Sequence, residues 1–181
     1  MVLRGIKKLM KSIYVMVLAL FLASCGSMPD NIKPVSDFEL TRYMGKWYEI
    51  ARLDHRFERG LENVTANYSI VDDGTVKVAN RGLSSKSGEW NDAIGKARFA
   101  NDPSIGHLEV SFFGPFYGPY VIFDLDKDQE NYRYAFVASS DKYLWFLSRT
   151  PTVSYEIKDK FLNAAQASGY NIEDLIFVNQ K

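Results

Sequence analysis

Cys25 is the only cysteine of this chain, and His55 and His107 are its only histidines. Cys25 has no second thiol, so no disulfide forms within one chain. Two histidines far apart in sequence, with no cysteine partner, do not make a zinc site. His55 follows Asp54 directly, but neighbouring residues at a strand end point to opposite faces and make a poor acid–base pair. There is no Gly-x-Ser-x-Gly elbow, no Gly-x-Gly-x-x-Gly turn, no P-loop and no His-Glu-x-x-His pattern. These residues predict no enzyme, no metal and no cofactor.

A second chemistry is cohesive rather than reactive. Gly45-Lys46-Trp47 stands near the front of the chain and Leu147-Ser148-Arg149 near its back. An indole can plug the narrow end of a closed sheet, and a guanidinium can stack on it and cap it. Two strand ends remote in sequence must then lie side by side, which depends on the elements between them.

Those elements alternate and are rich in aromatics, as short strands separated by turns. The first strand runs over about 46–53 and the second over about 62–71. The second puts Val64, Ala66 and Tyr68 on one face. Asp72-Asp73-Gly74 reads as a hairpin turn. The third strand carries Val78, and the fourth, about 93–99, puts Ala93, Gly95, Ala97 and Phe99 together. The fifth puts Leu108, Val110 and Phe112 opposite His107, Glu109 and Ser111. The sixth (119–125), seventh (132–138) and eighth (143–149) are apolar on both faces in places, so alternation does not assign their inward residues. Eight sequential strands predict an antiparallel up-and-down barrel, which removes its edges by closing on itself. In such a meander the first and last strands are antiparallel neighbours, and Trp47 meets Arg149. The same parity puts Arg56, Phe57, Arg59, Trp90, Phe113, Phe116 and Tyr117 at the opposite, open end. After Pro151, Ser154 as N-cap, the stripe Ile157, Phe161, Leu162, Ala164 and Ala165, and Gly169 as stop predict one helix outside the barrel. A last strand near 175–178 is expected to pair along it.

The front of the chain reads differently. Arg4, Lys7, Lys8 and Lys11 precede an uncharged, mostly apolar stretch from Ile13 to Ala23. It is shorter than the ~20 residues a spanning helix needs, and reads as a signal peptide over residues 1–24. Without it the chain keeps 18 basic against 22 acidic residues, a balance that argues against a nucleic-acid partner. Residues 25–36, with two prolines and no period, read as a tether.

Four ordered blocks carry a resemblance: Gly45 to Arg52, Asn63 to Ser69, Phe112 to Gly118, and Tyr143 to Pro151. Together they resemble the lipocalin family, in its bacterial outer-membrane branch and the related apolipoprotein D. The resemblance implies an all-β domain over 37–181, an eight-stranded barrel with one C-terminal helix packed outside it. Gly45, Trp47 and Arg149 match the family signature. Leu22-Ala23-Ser24-Cys25 matches the bacterial lipoprotein cleavage pattern. It implies a diacylglycerol on Cys25, a further acyl chain such as palmitate on its amino group, and anchoring at the periplasmic face of the outer membrane.

A barrel of this size can hold one small ligand or be filled by side chains. The expected ligand-lining residues are Val64, Ala66, Tyr68, Val78, Ala97, Phe99, Leu108, Val110, Phe112 and Trp145, with Ala66, Gly95 and Ala97 leaving room. The lipocalin likeness points to a fatty acid or lysophospholipid, bound, stored or carried. Arg56 and Arg59 at the mouth offer a grip on its head group, unless Glu58 and Glu62 neutralise them. The aromatic rim around Phe113, Phe116 and Tyr117 would contact lipid, gate entry, join a second copy in a homodimer, or fold back as a cover. Two rivals stay open: an envelope enzyme acting on a lipid through Asp54, His55 or a tyrosine hydroxyl, and a structural lipoprotein whose barrel is full.

Overall fold

The computed structural model describes residues 31–71, 74–127 and 130–181. The signal segment, Cys25, the front of the tether and the Asp72-Asp73 turn lie outside the described residues. A short helix, α1 (Leu40–Tyr43), leads into eight strands: β1 (Gly45–Leu53), β2 (Leu61–Ile70), β3 (Val76–Ser84), β4 (Trp90–Phe99), β5 (His107–Phe113), β6 (Phe116–Leu125), β7 (Tyr134–Ser140) and β8 (Tyr143–Ser148). Helix α2 (Tyr155–Ala167), a single 3₁₀ turn and strand β9 (Leu175–Phe177) follow. Each of β1 to β8 pairs antiparallel with its sequence neighbour, and β8 pairs with β1 to close the barrel.

Two apolar layers result. The inner one gathers Trp47, Ala66, Tyr68, Val78, Ala97, Leu108, Ile122, Val137 and Leu147. The outer one puts Val121, Phe136, Ala138, Leu144 and Phe146 against Phe161 and Ala165 of α2. This explains the two-sided apolar strands. On β6 to β8 one face lines the barrel while the other is roofed by the helix, so both are dry. Helix α2 begins at Ser154, whose side chain accepts the Ile157 N–H, and ends before Gly169 at φ +89°.

Two segments depart from expectation, and the last strand falls where it was expected. Asn31–Ser36 is not a free spacer: Ile32 is buried in the outer layer, and Val35 N–H donates to the Ile122 carbonyl at 2.9 Å. Helix α1 had no periodic signal in four residues, yet it buries Tyr43 beneath the barrel. Strand β9 pairs along the barrel, with β1, through Ala51↔Phe177, Arg52↔Ile176 and Leu53↔Leu175. The reason is a bulge in β1 after Glu49, beyond which β1 has left β2. The C-terminal segment fills that seam, where Gln180 Nε2 donates to the carbonyls of Glu49 and Val64.

Candidate functional site

The floor is built from Trp47 upward. Its indole is fully buried and donates to the Tyr43 carbonyl at 2.8 Å. The Arg149 guanidinium lies 3.9 Å from the Trp47 ring centroid. The same guanidinium donates to the carbonyls of Lys46, Arg42 and Tyr132, tying β1, α1 and the entry of β7 together. Gly45 sits beside it at φ +92°, in the left-handed region that favours glycine.

Above the floor lies a small apolar cavity of about 10 Å³, room for about one water molecule. Leu40, Tyr43 and Met44 form its base, and Tyr68, Val78, Ala97, Leu108, Val110 and Tyr120 are among its walls. The Tyr120 hydroxyl is shared with those of Tyr43 (2.7 Å) and Tyr68 (2.8 Å). Burial pushes all three phenols above their ordinary range. The cavity is thus greasy, with one hydroxyl cluster in its wall.

The structure also places charge inside the barrel, where sequence reasoning missed it. Glu49 and Arg52 are buried and ion-paired at 2.6 Å. Arg52 Nη2 also donates to the carbonyls of Glu58 and Leu61. The loop 54–60 turns Glu58 inward, and its Oε2 accepts from the Trp145 indole N–H at 3.1 Å. His55 Nε2 stands 2.8 Å from that same oxygen without the alignment of a hydrogen bond, and His55 Nδ1 has no hydrogen-bond partner among the described residues. Burial, and then the Glu58 charge, hold the Glu49 carboxyl well above the ordinary range, against the pull of Arg52. Burial works the same way on Glu58, but the His55 contact and the Trp145 donor outweigh it and bring that carboxyl below its ordinary range. The signal in the sequence was Glu49 and Arg52 among the apolar residues Trp47, Ile50, Ala51 and Leu53 of the first strand.

The expected ligand-lining residues divide. Tyr68, Val78, Ala97, Leu108 and Val110 line the cavity. Ala66, Phe99, Phe112 and Trp145 belong to the inner layer outside it, and Val64 is buried beside Gly82. Gly95 leaves no room: a Cβ there would lie 2.8 Å from the Phe112 ring, which occupies that space. Neither expected head-group cation is free. Arg59 grips Asp54 with two nitrogens, not Glu58 or Glu62, and Arg56 stacks on Phe57 at 4.7 Å. Phe57, Trp90, Phe113 and Phe116 are exposed at the open end, Trp90 with the Arg81 guanidinium over its ring, whereas Tyr117 is half-buried under Arg98. Among the described residues no group of three or more His, Cys, Asp and Glu side chains is arranged to hold a metal ion.

A family model described as a lipocalin-like domain matches residues 38–180. The chain is 53% identical to a Vibrio cholerae protein named outer membrane lipoprotein Blc, over 95% of this chain and all of that one. It is 47% identical to the Escherichia coli K12 protein of the same name, over 90% of this chain and 92% of the other. In fold it is similar to insecticyanin of the tobacco hornworm Manduca sexta, with a TM-score of 0.66 and 24% identity, over 85% of this chain and 86% of that one.

Proposed function

The chain belongs to the lipocalin family, and from that premise we propose that this outer-membrane lipoprotein binds and carries a single-chain lipid, a fatty acid or a lysophospholipid, without turning it over. Cys25 carries the anchor. The observation that supports the ligand class is the apolar cavity beneath a buried charged layer. Ten buried methylenes contribute ~8 kcal/mol before ordering costs, enough for micromolar binding. A cavity of about 10 Å³ is far below the ~300–1,000 Å³ of ordinary ligand sites, so a ligand enters only as side chains withdraw. Glu58 is the group placed to do so, since it reaches the interior from the loop 54–60. Its departure frees Trp145 Nε1 and His55 for the carboxylate or phosphate of the ligand.

The test is displacement of a fluorescent fatty acid from the folded mature protein. Binding in the ~1–10 µM range, with unlabelled oleate and lysophosphatidylethanolamine both displacing the probe, is expected. No displacement at tens of micromolar from a protein with an intact melting transition overturns the reading and favours a filled, structural barrel. Ester hydrolysis that disappears in His55→Ala overturns it in favour of an enzyme.

A further inference from the structure

The path of Asn31–Phe38 bears on how the open end is presented. Phe38 N–H donates to the Ser104 carbonyl in the floor connection between β4 and β5, and Gly106 N–H there donates to Val35. From this point the chain, followed backwards, climbs the outside of the barrel. Ile32 is buried in the outer layer that α2 covers. Asn31 reaches the far end of α2, where a Cβ on Gly169 would stand 3.8 Å from Asn31 Nδ2. That helix end is at the open side of the barrel, because the Tyr170 hydroxyl donates at 2.8 Å to the carbonyl of Ser140, the last residue of β7 before its turn at the mouth. The described chain therefore begins towards the mouth, not at the floor.

Cys25 precedes Asn31 by six residues. Whatever path they take, six residues span at most about 20 Å. The barrel wall is built of strands of up to 10 residues, about 30 Å of backbone at 3.3 Å per residue before tilt. A lipid on Cys25 reaches a bilayer at the mouth easily and one beneath the floor poorly. The two ends also differ in chemistry. The mouth exposes Phe57 (52%), Phe113 (71%) and Phe116 (78%), with the Phe57 and Phe113 ring centroids 6.4 Å apart and the Arg56 guanidinium over Phe57. The floor connections carry Asn101, Asp102, Asp126 and Lys127. Exposed aromatics beside a cation suit the interface of a phospholipid bilayer.

We propose that the Phe57–Phe113–Phe116 rim seats in the phospholipid bilayer that holds the Cys25 anchor, so that the barrel opens onto the membrane and ligand passes between lipid and cavity without crossing bulk water. This rests on the lipid-anchor reading of Cys25. The occupant of the rim is the bilayer, and a second copy of the chain is the competing outcome.

The test uses the mature, acylated protein in vesicles of phosphatidylethanolamine and phosphatidylglycerol. Acylation consumes Cys25, so Phe116→Cys or Asn101→Cys supplies the single thiol for a fluorescent label at the mouth or the floor. With brominated acyl chains in the vesicles, quenching at position 116 several-fold above that at 101 is expected, and Phe57→Ser together with Phe113→Ser reduces it. Equal quenching, or more at 101, overturns the orientation. Quenching at 116 that vanishes as protein density rises, with self-transfer between labels appearing instead, assigns the rim to a second copy and overturns it too. Intact mass separates the two failures: absent acyl mass removes the anchor and the orientation with it, whereas acyl mass with an unquenched position 116 removes the orientation alone.

Discussion

The Arg149 guanidinium lies 3.9 Å from the Trp47 ring centroid while donating hydrogen bonds to the carbonyls of Arg42, Lys46 and Tyr132. One side chain thus closes the barrel and fastens α1 beneath it. Arg149→Ala leaves those carbonyls without their donor and opens Trp47 to water. The expected cost is about 1–3 kcal/mol, or roughly 3–10 °C in melting temperature for a chain of this size. Arg149→Lys does not restore it, because an ammonium lacks the planar fork. Melting curves followed by Trp fluorescence check both variants, and an unchanged transition in the Ala variant contradicts the role.

Gly95 lies against the Phe112 ring and the Ser111 carbonyl, each 2.8 Å from where a Cβ would stand. Gly95→Ala is therefore expected to destabilise by about 1–3 kcal/mol through overpacking. Truncating Phe112 relieves only the ring contact, so the double variant Gly95→Ala, Phe112→Ala stays less stable than Phe112→Ala alone. Denaturant midpoints of the four proteins decide it.

Phe161 is fully buried, with its ring 5.0 Å from that of Phe136 and 4.9 Å from that of Phe146. Phe161→Ala is expected to cost about 3–5 kcal/mol. It removes the contact holding α2 on the barrel and leaves the inner cavity untouched. Lowered stability with unchanged affinity for a fluorescent fatty acid at low temperature is the expected result; loss of affinity would join the outer layer to the site.

The buried carboxyls set opposite limits on pH. Glu49 is held above its ordinary pKa in the fold, by burial first and then by Glu58. Above the unfolded value the folded state keeps a proton that the unfolded state releases, so this stabilisation is complete at low pH and is lost as pH rises through the folded pKa. Glu58 is lowered, so its contribution is complete above the unfolded value and is lost as pH falls through the folded one. Glu49→Gln keeps an acceptor for Arg52 and removes the titration. From pH 5 upward the native protein is expected to lose stability relative to this variant, by up to about 1.4 kcal/mol per pH unit. Parallel curves for the two proteins across that range contradict it.

The strand order and the partnership of Trp47 with Arg149 were legible in the chain because both follow from local rules. Alternation marks a strand with one wet and one dry face, and parity in a meander says which ends meet. Strands β6 to β8 defeated alternation for a tertiary reason. Helix α2 covers their outer face, so Phe136 and Phe146 are as dry as Val137 and Leu147. Glu49 and Arg52 were visible in the first strand, but their burial was illegible for a related reason. Burial of Glu49 and Arg52 depends on the bulge in β1 and on a loop that folds Glu58 inward, and neither leaves a periodic trace.

The amino-acid sequence by itself determined the closed β-barrel, its sealed and open ends, and the outer helix, since these rest on periodicity, turn residues and capping within short windows. Tertiary structure alone decided how much space the barrel keeps, which carboxyls it buries, that the C-terminal segment fills the seam between β1 and β2, and that the chain enters from the mouth side. Each depends on side chains or segments distant in sequence meeting in three dimensions, where the volume of one ring or the path of one strap sets the outcome.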